Sequence, residues 1–235
     1  MSQPFHIGLL VFPEMTQLDL TGPLQVFSAV PQFVPDREIT IHLVWKDLKP
    51  VATDAVMVIT PTTTFADCPK LDVICVPGGY GTDALVEDPE VLEFVRHQAE
   101  GAQYVTSVCT GSLVLGAAGL LEGYRATTHW TAIEVLDLLG AIPVRERVVI
   151  DRNRVTGGGV TAGIDFALTL VGELFGRPVA ESVQLRLEYN PNPPFDAGSP
   201  STAPADVVAR YEERIAPNRA RRREAVARAA ARLSG

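Results

Sequence analysis

Cysteine is scarce in this chain of 235 residues, with Cys68, Cys75 and Cys109 the only three. No C-x-x-C pair and no even-numbered framework is present, which excludes a disulfide-stapled fold and points to reduced thiols in a cytoplasm. Long apolar runs are missing too. The N-terminal run 7–12 is broken by Gly8 and stopped by Pro13, and nothing approaches the ~18 uninterrupted apolar residues of a membrane span, so a soluble, unexported, cytoplasmic protein is expected. Positive charge is in deficit: the formal net charge is −8 and the pI is near 5.0. No global field therefore draws in nucleic acid or an anionic membrane, and a neutral or cationic small partner fits better. The four histidines never fall with the cysteines at metal-ligand spacing, so no metal is expected. Gly157-Gly158-Gly159 lacks both the Lys-Ser/Thr of a nucleotide loop and the spacing of a dinucleotide fingerprint, and is read as close helix-sheet packing. No cofactor is expected, and no internal repeat is present.

What the chain does have is a regular alternation of short apolar, β-branched runs with helical segments. The runs at 5–12, 39–45, 71–76 and 104–108 read as strands, with a weaker one at 57–61. Helices are predicted over 17–30, 89–99, 110–121, 131–139 and 161–175, and a hairpin over 147–156 turning at Asp151-Arg152-Asn153. Strands separated by helices of this length pair in parallel through right-handed crossovers, so the expected fold class is α/β, a doubly wound, mostly parallel sheet flanked by helices. Such sheets bind ligands at the carboxyl ends of their strands. One domain over residues 1–189 is expected, followed by a proline-rich arm and C-terminal helix over 190–235. Residues 190–204 carry too many prolines for a helix or a central strand. In the helix over 205–233, Ala225, Ala229 and Leu233 recur at helical spacing opposite a run including Arg221, Arg222 and Arg223. The arginines read as a solvated face rather than a nucleic-acid contact, and the helix as docked on another subunit.

Cys109 sits where the run 104–108 gives way to a helix. The unpaired N–H groups and positive dipole end of a helix start favour thiolate over thiol, and Thr110, Gly111 and Ser112 leave the sulfur approachable. A buried, inert cysteine is the competing reading. The backbone N–H groups of Thr110 and of the Gly78-Gly79 turn reach the same sheet edge and could support developing negative charge. A proton partner could be His129, or a carboxylate of the first loop, Glu14 or Asp19. His6, His42 and His97 read as structural or solvated. Asp19, flanked by Leu18 and Leu20, is expected to face inward, where burial raises its pKa; the alternative is a helix cap.

Several stretches resemble the ThiJ/PfpI branch of the class I glutamine-amidotransferase-like superfamily: Val108-Cys109-Thr110-Gly111, Val76-Pro77-Gly78-Gly79, Ala126-Thr127-Thr128-His129-Trp130 and Thr156-Gly157-Gly158-Gly159-Val160-Thr161-Ala162-Gly163. Within that branch, Phe12-Pro13-Glu14, the segment 18–23, Phe65-Ala66-Asp67-Cys68-Pro69 and Leu187-Glu188-Tyr189 before the proline arm are similar to the isocyanide hydratases. The resemblance implies a flavodoxin-like sandwich, a homodimer and a strained cysteine elbow, with Cys109 as nucleophile and Asp19 as general acid/base. It also implies conversion of an isocyanide and water to an N-substituted formamide. The residues suit that chemistry without metal or redox cofactor: Cys109 would add to the terminal isocyanide carbon and Asp19 protonate it, giving a thioimidate, and apolar Trp130 and Tyr189 would shape the pocket. Nothing matches the His-x-Glu pair of glutamine amidotransferases. A glyoxalase- or deglycase-like enzyme leaning on His129, and a ligand or redox sensor like those of arabinose-regulator-type transcription factors, are the alternatives.

Overall fold

The computed structural model describes residues 4–233. Its elements, in chain order, are β1 (Phe5–Leu10), α1 (Gln17–Ala29), β2 (Ile39–Trp45), β3 (Val51–Ala52), β4 (Val58–Ile59), β5 (Thr63–Thr64), β6 (Val73–Val76), α2 (Thr82–Leu85), α3 (Pro89–Ala99), β7 (Tyr104–Val108), α4 (Gly111–Ala117), β8 (Arg125–Ala126), β9 (Ile142–Pro143), β10 (Val148–Asp151), β11 (Arg154–Gly157), α5 (Ala162–Phe175), α6 (Arg177–Arg186) and α7 (Ala205–Leu233). The main sheet has seven strands in the order β10-β11-β7-β6-β1-β2-β5, parallel throughout except for the β10-β11 hairpin. This is the flavodoxin-like α/β arrangement expected.

β-Branched runs buried on both faces become central parallel strands, because helices cover both sides of such a sheet. β6 and the last four residues of β7 are buried throughout. The register sets one row, Leu9, Cys75, Thr106 and Val155, across β1, β6, β7 and β11. The carboxyl ends of these strands therefore lie side by side, and the loops leaving them converge. Two close approaches fix that edge. A side chain on Gly111 would place its Cβ 1.9 Å from the Val76 carbonyl oxygen, so only glycine lets α4 start against β6. Gly79 has φ of +133°, forms a bridge with Met15, and has the Glu14 oxygen and Thr16 nitrogen each 2.5 Å from where a Cβ would stand.

Two local expectations differ from the structure, and one element, α6, was not anticipated. Residues 131–139 form two 3-10 turns, Trp130–Val135 and Asp137–Leu139, the shorter-pitched helix that serves in connectors. α6, entered through Gly176 at φ of +90°, follows α5 without a linker; its sequence carries no strong apolar stripe. The arginine run of α7 is also not uniformly solvated. Arg222 is buried and pairs with Asp83 at 2.6 Å, while Arg228 and Arg232 clasp Glu87 at 2.8 and 2.7 Å. Ala225, Val226 and Ala229 are buried where α7 meets α2, α4 and the second 3-10 turn of its own chain. Pro217 lies inside α7, removing the main-chain bond to Glu213. No helix among the described residues is long and apolar enough to cross a membrane.

Candidate active site

Cys109 is the first residue after β7 and has φ of +54°, a left-handed conformation that costs a non-glycine residue energy. The turn is held from three sides. The Cys109 N–H donates to the Gly157 carbonyl at 3.0 Å, and its own carbonyl accepts the Thr128 hydroxyl at 2.9 Å and the Ser112 hydroxyl at 3.3 Å. These bonds hold Cys109 over the strand ends, the residue 5% exposed.

Asp19 arrives from the first turn of α1 and is fully buried. It caps nothing: the α1 start is capped instead by Asp54, which accepts the Gln17 N–H at 3.1 Å and the Thr16 hydroxyl at 2.9 Å. One carboxyl oxygen of Asp19, Oδ2, accepts the Gly78 N–H at 3.0 Å. The other, Oδ1, is buried without a hydrogen-bond partner, and the carboxyl as a whole lies against the Cys109 thiol. Burial pushes the Asp19 pKa up to about 7, against the smaller opposing pull of hydrogen bonds from the thiol and from Gly78. Burial and the Asp19 charge push the Cys109 thiol well above its ordinary range, and the Thr110 N–H at the helix start only partly offsets them. The thiolate expected from the helix dipole is thus overridden by desolvation. The resting pair keeps its proton on sulfur.

The Gly78-Gly79 turn has a different part from the one its N–H groups suggested. The Gly78 N–H is engaged by Asp19, and the Gly79 N–H donates to the Thr110 hydroxyl at 3.0 Å. Both position side chains and neither faces an open site. Thr110 is buried, and its main-chain N–H reaches the sulfur.

A cavity of about 200 Å³ opens above Cys109, lined also by Thr110, Gly79 and His129. His129 accepts the Thr131 N–H on Nδ1 at 3.4 Å and lies 2.7 Å from the Thr131 hydroxyl. Burial lowers its pKa to about 4, so the ring is neutral near pH 7 and a weak base. Glu14 is exposed, at φ of +59°, and lies outside this lining. Trp130 lies outside it as well, but its ring is 5.7 Å from that of Tyr211, which is in the lining. Tyr189 is not brought to the cavity; its hydroxyl donates to Asp165 at 2.8 Å.

The sequence reading missed the wall contributed by α7. Tyr211, Ile215, Asn218, Arg219 and Arg222 all line the cavity. Their spacing is a helical stripe, but nothing local in the sequence says which surface that stripe meets. Cys75 and Cys68 take no part: burial raises Cys75 to about 12 and Cys68 to about 11. His6 and His42 pair with each other at 3.1 Å, away from the site. No group of three or more His, Cys, Asp or Glu able to hold a metal ion occurs among the described residues.

Residues 6–173 match the profile of the DJ-1/PfpI family. The chain is 59% identical, over 97% of its own length and 98% of the relative's, to the isonitrile hydratase of Pseudomonas putida. It is 30% identical, over 79% of its length, to the HTH-type transcriptional regulator GbdR of Pseudomonas aeruginosa, of which it covers 51%. The crystal structure of a ThiJ/PfpI family protein from Pseudomonas syringae superposes with a TM-score of 0.90 at 46% identity, covering 95% of this chain and 91% of that one.

Proposed function

The chain belongs to the DJ-1/PfpI family, and from that premise we propose that it hydrates isocyanides, converting an isocyanide and water to an N-substituted formamide through a thioimidate on Cys109. One observation carries the chemistry: a buried carboxyl with its pKa raised to about 7 lies against the thiol of a cysteine held on a left-handed turn. The substrate class is that of the hydratase with which the chain shares 59% identity.

The terminal carbon of an isocyanide must gain both a nucleophile and a proton. Asp19 takes the thiol proton as Sγ bonds to that carbon, and returns it to the same carbon, giving R–N=CH–S–Cys109 with the carboxylate regenerated. A general base works best with its pKa near the working pH, which suits Asp19 and not His129. Water then adds to the imidate carbon. Asp19 accepts its proton and passes it to nitrogen; the adduct R–NH–CH(OH)–S–Cys109 then collapses by breaking the C–S bond while Asp19 carries the hydroxyl proton to sulfur, releasing R–NH–CHO and the Cys109 thiol. No electrons are exchanged, so the cycle calls for no redox partner. The Thr110 N–H lies at the sulfur and stabilises negative charge as the C–S bond forms and breaks.

Three free cysteines support a reducing cytoplasm as the working compartment, and a homodimer is the proposed assembly, tested by light scattering. The function is tested by incubating the protein with methyl isocyanide and following formamide appearance by NMR. Wild type forms N-methylformamide; Cys109→Ala falls to the uncatalysed rate, and Asp19→Asn is slowed by about 10²–10⁴. Full turnover in Cys109→Ala would sink the proposal.

A further inference from the structure

We infer that Ile215 and Tyr211, on α7, determine which isocyanides the site accepts by forming the wall against which the R group packs; this rests on the hydratase reading above. The stripe of α7 that faces the cavity changes character along its length. Tyr211 and Ile215, one turn apart, are a ring and a branched aliphatic side chain, whereas Asn218, Arg219 and Arg222 continue the same face as polar groups.

The polar half has other partners. Arg222 pairs with Asp83 at 2.6 Å and Arg219 with Glu134 at 2.8 Å, so this half anchors the helix over the site. Ile215 has no polar atom to anchor anything, yet it is only 7% exposed at the cavity edge. The Tyr211 ring is backed by Trp130 at 5.7 Å. Contact shape is what these two can read. The cavity measures about 200 Å³, while one of ~150 Å³ holds benzene. An R group of about one ring fills such a volume, and a larger one presses on its walls, Tyr211 and Ile215 among them. Val160, from the loop after β11, adds a further apolar side chain to the lining.

The experiment compares kcat/KM for methyl isocyanide and 2-naphthyl isocyanide across wild type, Ile215→Ala, Ile215→Trp and Tyr211→Ala, with exposed Leu185→Ala on α6 as the control. A methylene-scale change in an apolar pocket alters discrimination by roughly 10–200-fold. The naphthyl-to-methyl ratio is expected to rise about tenfold or more in Ile215→Ala and Tyr211→Ala and to fall by a similar factor in Ile215→Trp. Tyr211, being half exposed, supplies a variant that does not depend on refilling the core. The same variants are scored for alkylation of Cys109 by N-methylmaleimide and N-(1-naphthyl)maleimide, read from the mass of the Cys109 peptide. If wild type hydrates neither isocyanide, the hydratase reading falls while the alkylation rates still judge the wall. A size ratio that follows residue 215 in either assay supports the inference. Ratios within twofold of wild type in every variant overturn it.

Discussion

Asp19 and Cys109 meet across Gly78. A Cβ on that glycine would stand 2.7 Å from Asp19 Oδ2, 2.8 Å from the Cys109 Cβ and 2.6 Å from the Thr110 nitrogen. The acid and the thiol therefore approach each other only because the residue between them has no side chain; of the three neighbours only Asp19 Oδ2 is a side-chain end, and it is held by the Gly78 N–H at 3.0 Å. Gly78→Ala should keep the fold, at an overpacking cost of about 1–3 kcal/mol. It should lose activity far beyond that cost, about a hundredfold, because a displacement near 1 Å at reacting groups costs that much. Denaturant midpoints and kcat on one preparation check both halves. A variant with normal kcat would show that the spacing of the pair is not critical.

The raised pKa of Asp19 sets a pH dependence. With the proton resting on Cys109, the working carboxyl is the ionised one, and its population falls below about 7. The expected kcat/KM profile declines about tenfold per pH unit on the acid side of that value, and His129→Gln keeps the same limb because the His129 pKa lies near 4. Asp19→Asn lowers kcat by about 10²–10⁴ and abolishes the limb. A limb that moves with His129 and not with Asp19 would hand the proton transfer to the histidine.

The same group affects stability, in a direction opposite to that of a salt-bridged carboxylate. Its pKa is higher folded, about 7, than the ordinary 3.8, so the folded state holds the proton more tightly. That contribution is fully present below about pH 4 and is lost as pH rises to about 7. The shift corresponds to a penalty of about 4 kcal/mol on the ionised form. Cys109 acts in the same sense above its ordinary 9.0, since its thiol is also held protonated. Asp19→Asn should therefore flatten the pH profile of unfolding free energy between 4 and 7 and be the more stable protein at pH 8. Urea melts across that range measure it, and parallel profiles for wild type and variant would contradict a buried acid.

The sheet was readable because β-branched runs alternate with helices at lengths that leave parallel pairing as the economical arrangement. From that order alone, the Gly78-Gly79 turn and the start of the helix after Cys109 were expected at one edge. Asp19 was legible as an inward-facing acid because Leu18 and Leu20 flank it. Burial, which decides its pKa, lives in the tertiary structure, as does the preference for thiol over thiolate at Cys109. The α7 wall was illegible for a related reason. Arg222 looks like its neighbours Arg221 and Arg223, and only its partner Asp83, 139 residues earlier, distinguishes it. Tyr189 was expected at the pocket, whereas its hydroxyl belongs to Asp165.

That distinction among arginines can be measured. The Arg222 side chain is 9% exposed and its partner Asp83 23%, whereas Arg228 is 56% exposed against Glu87. Removing one member of a buried pair strands the other: burial already raises the Asp83 pKa even with Arg222 at hand. Arg222→Ala should therefore cost about 3 kcal/mol, lowering Tm by roughly 6–12 °C. Arg228→Ala, on a screened surface pair, should leave Tm close to wild type. Converting Asp83 to Asn in the Arg222→Ala background should recover part of the loss, because no partly buried carboxylate is then left without its partner. Calorimetry on the four proteins decides the matter. Equal losses from the two arginines would mean that α7 is held by its apolar stripe of Ala225, Val226 and Ala229 and that the Arg222 pair contributes no more than a surface contact.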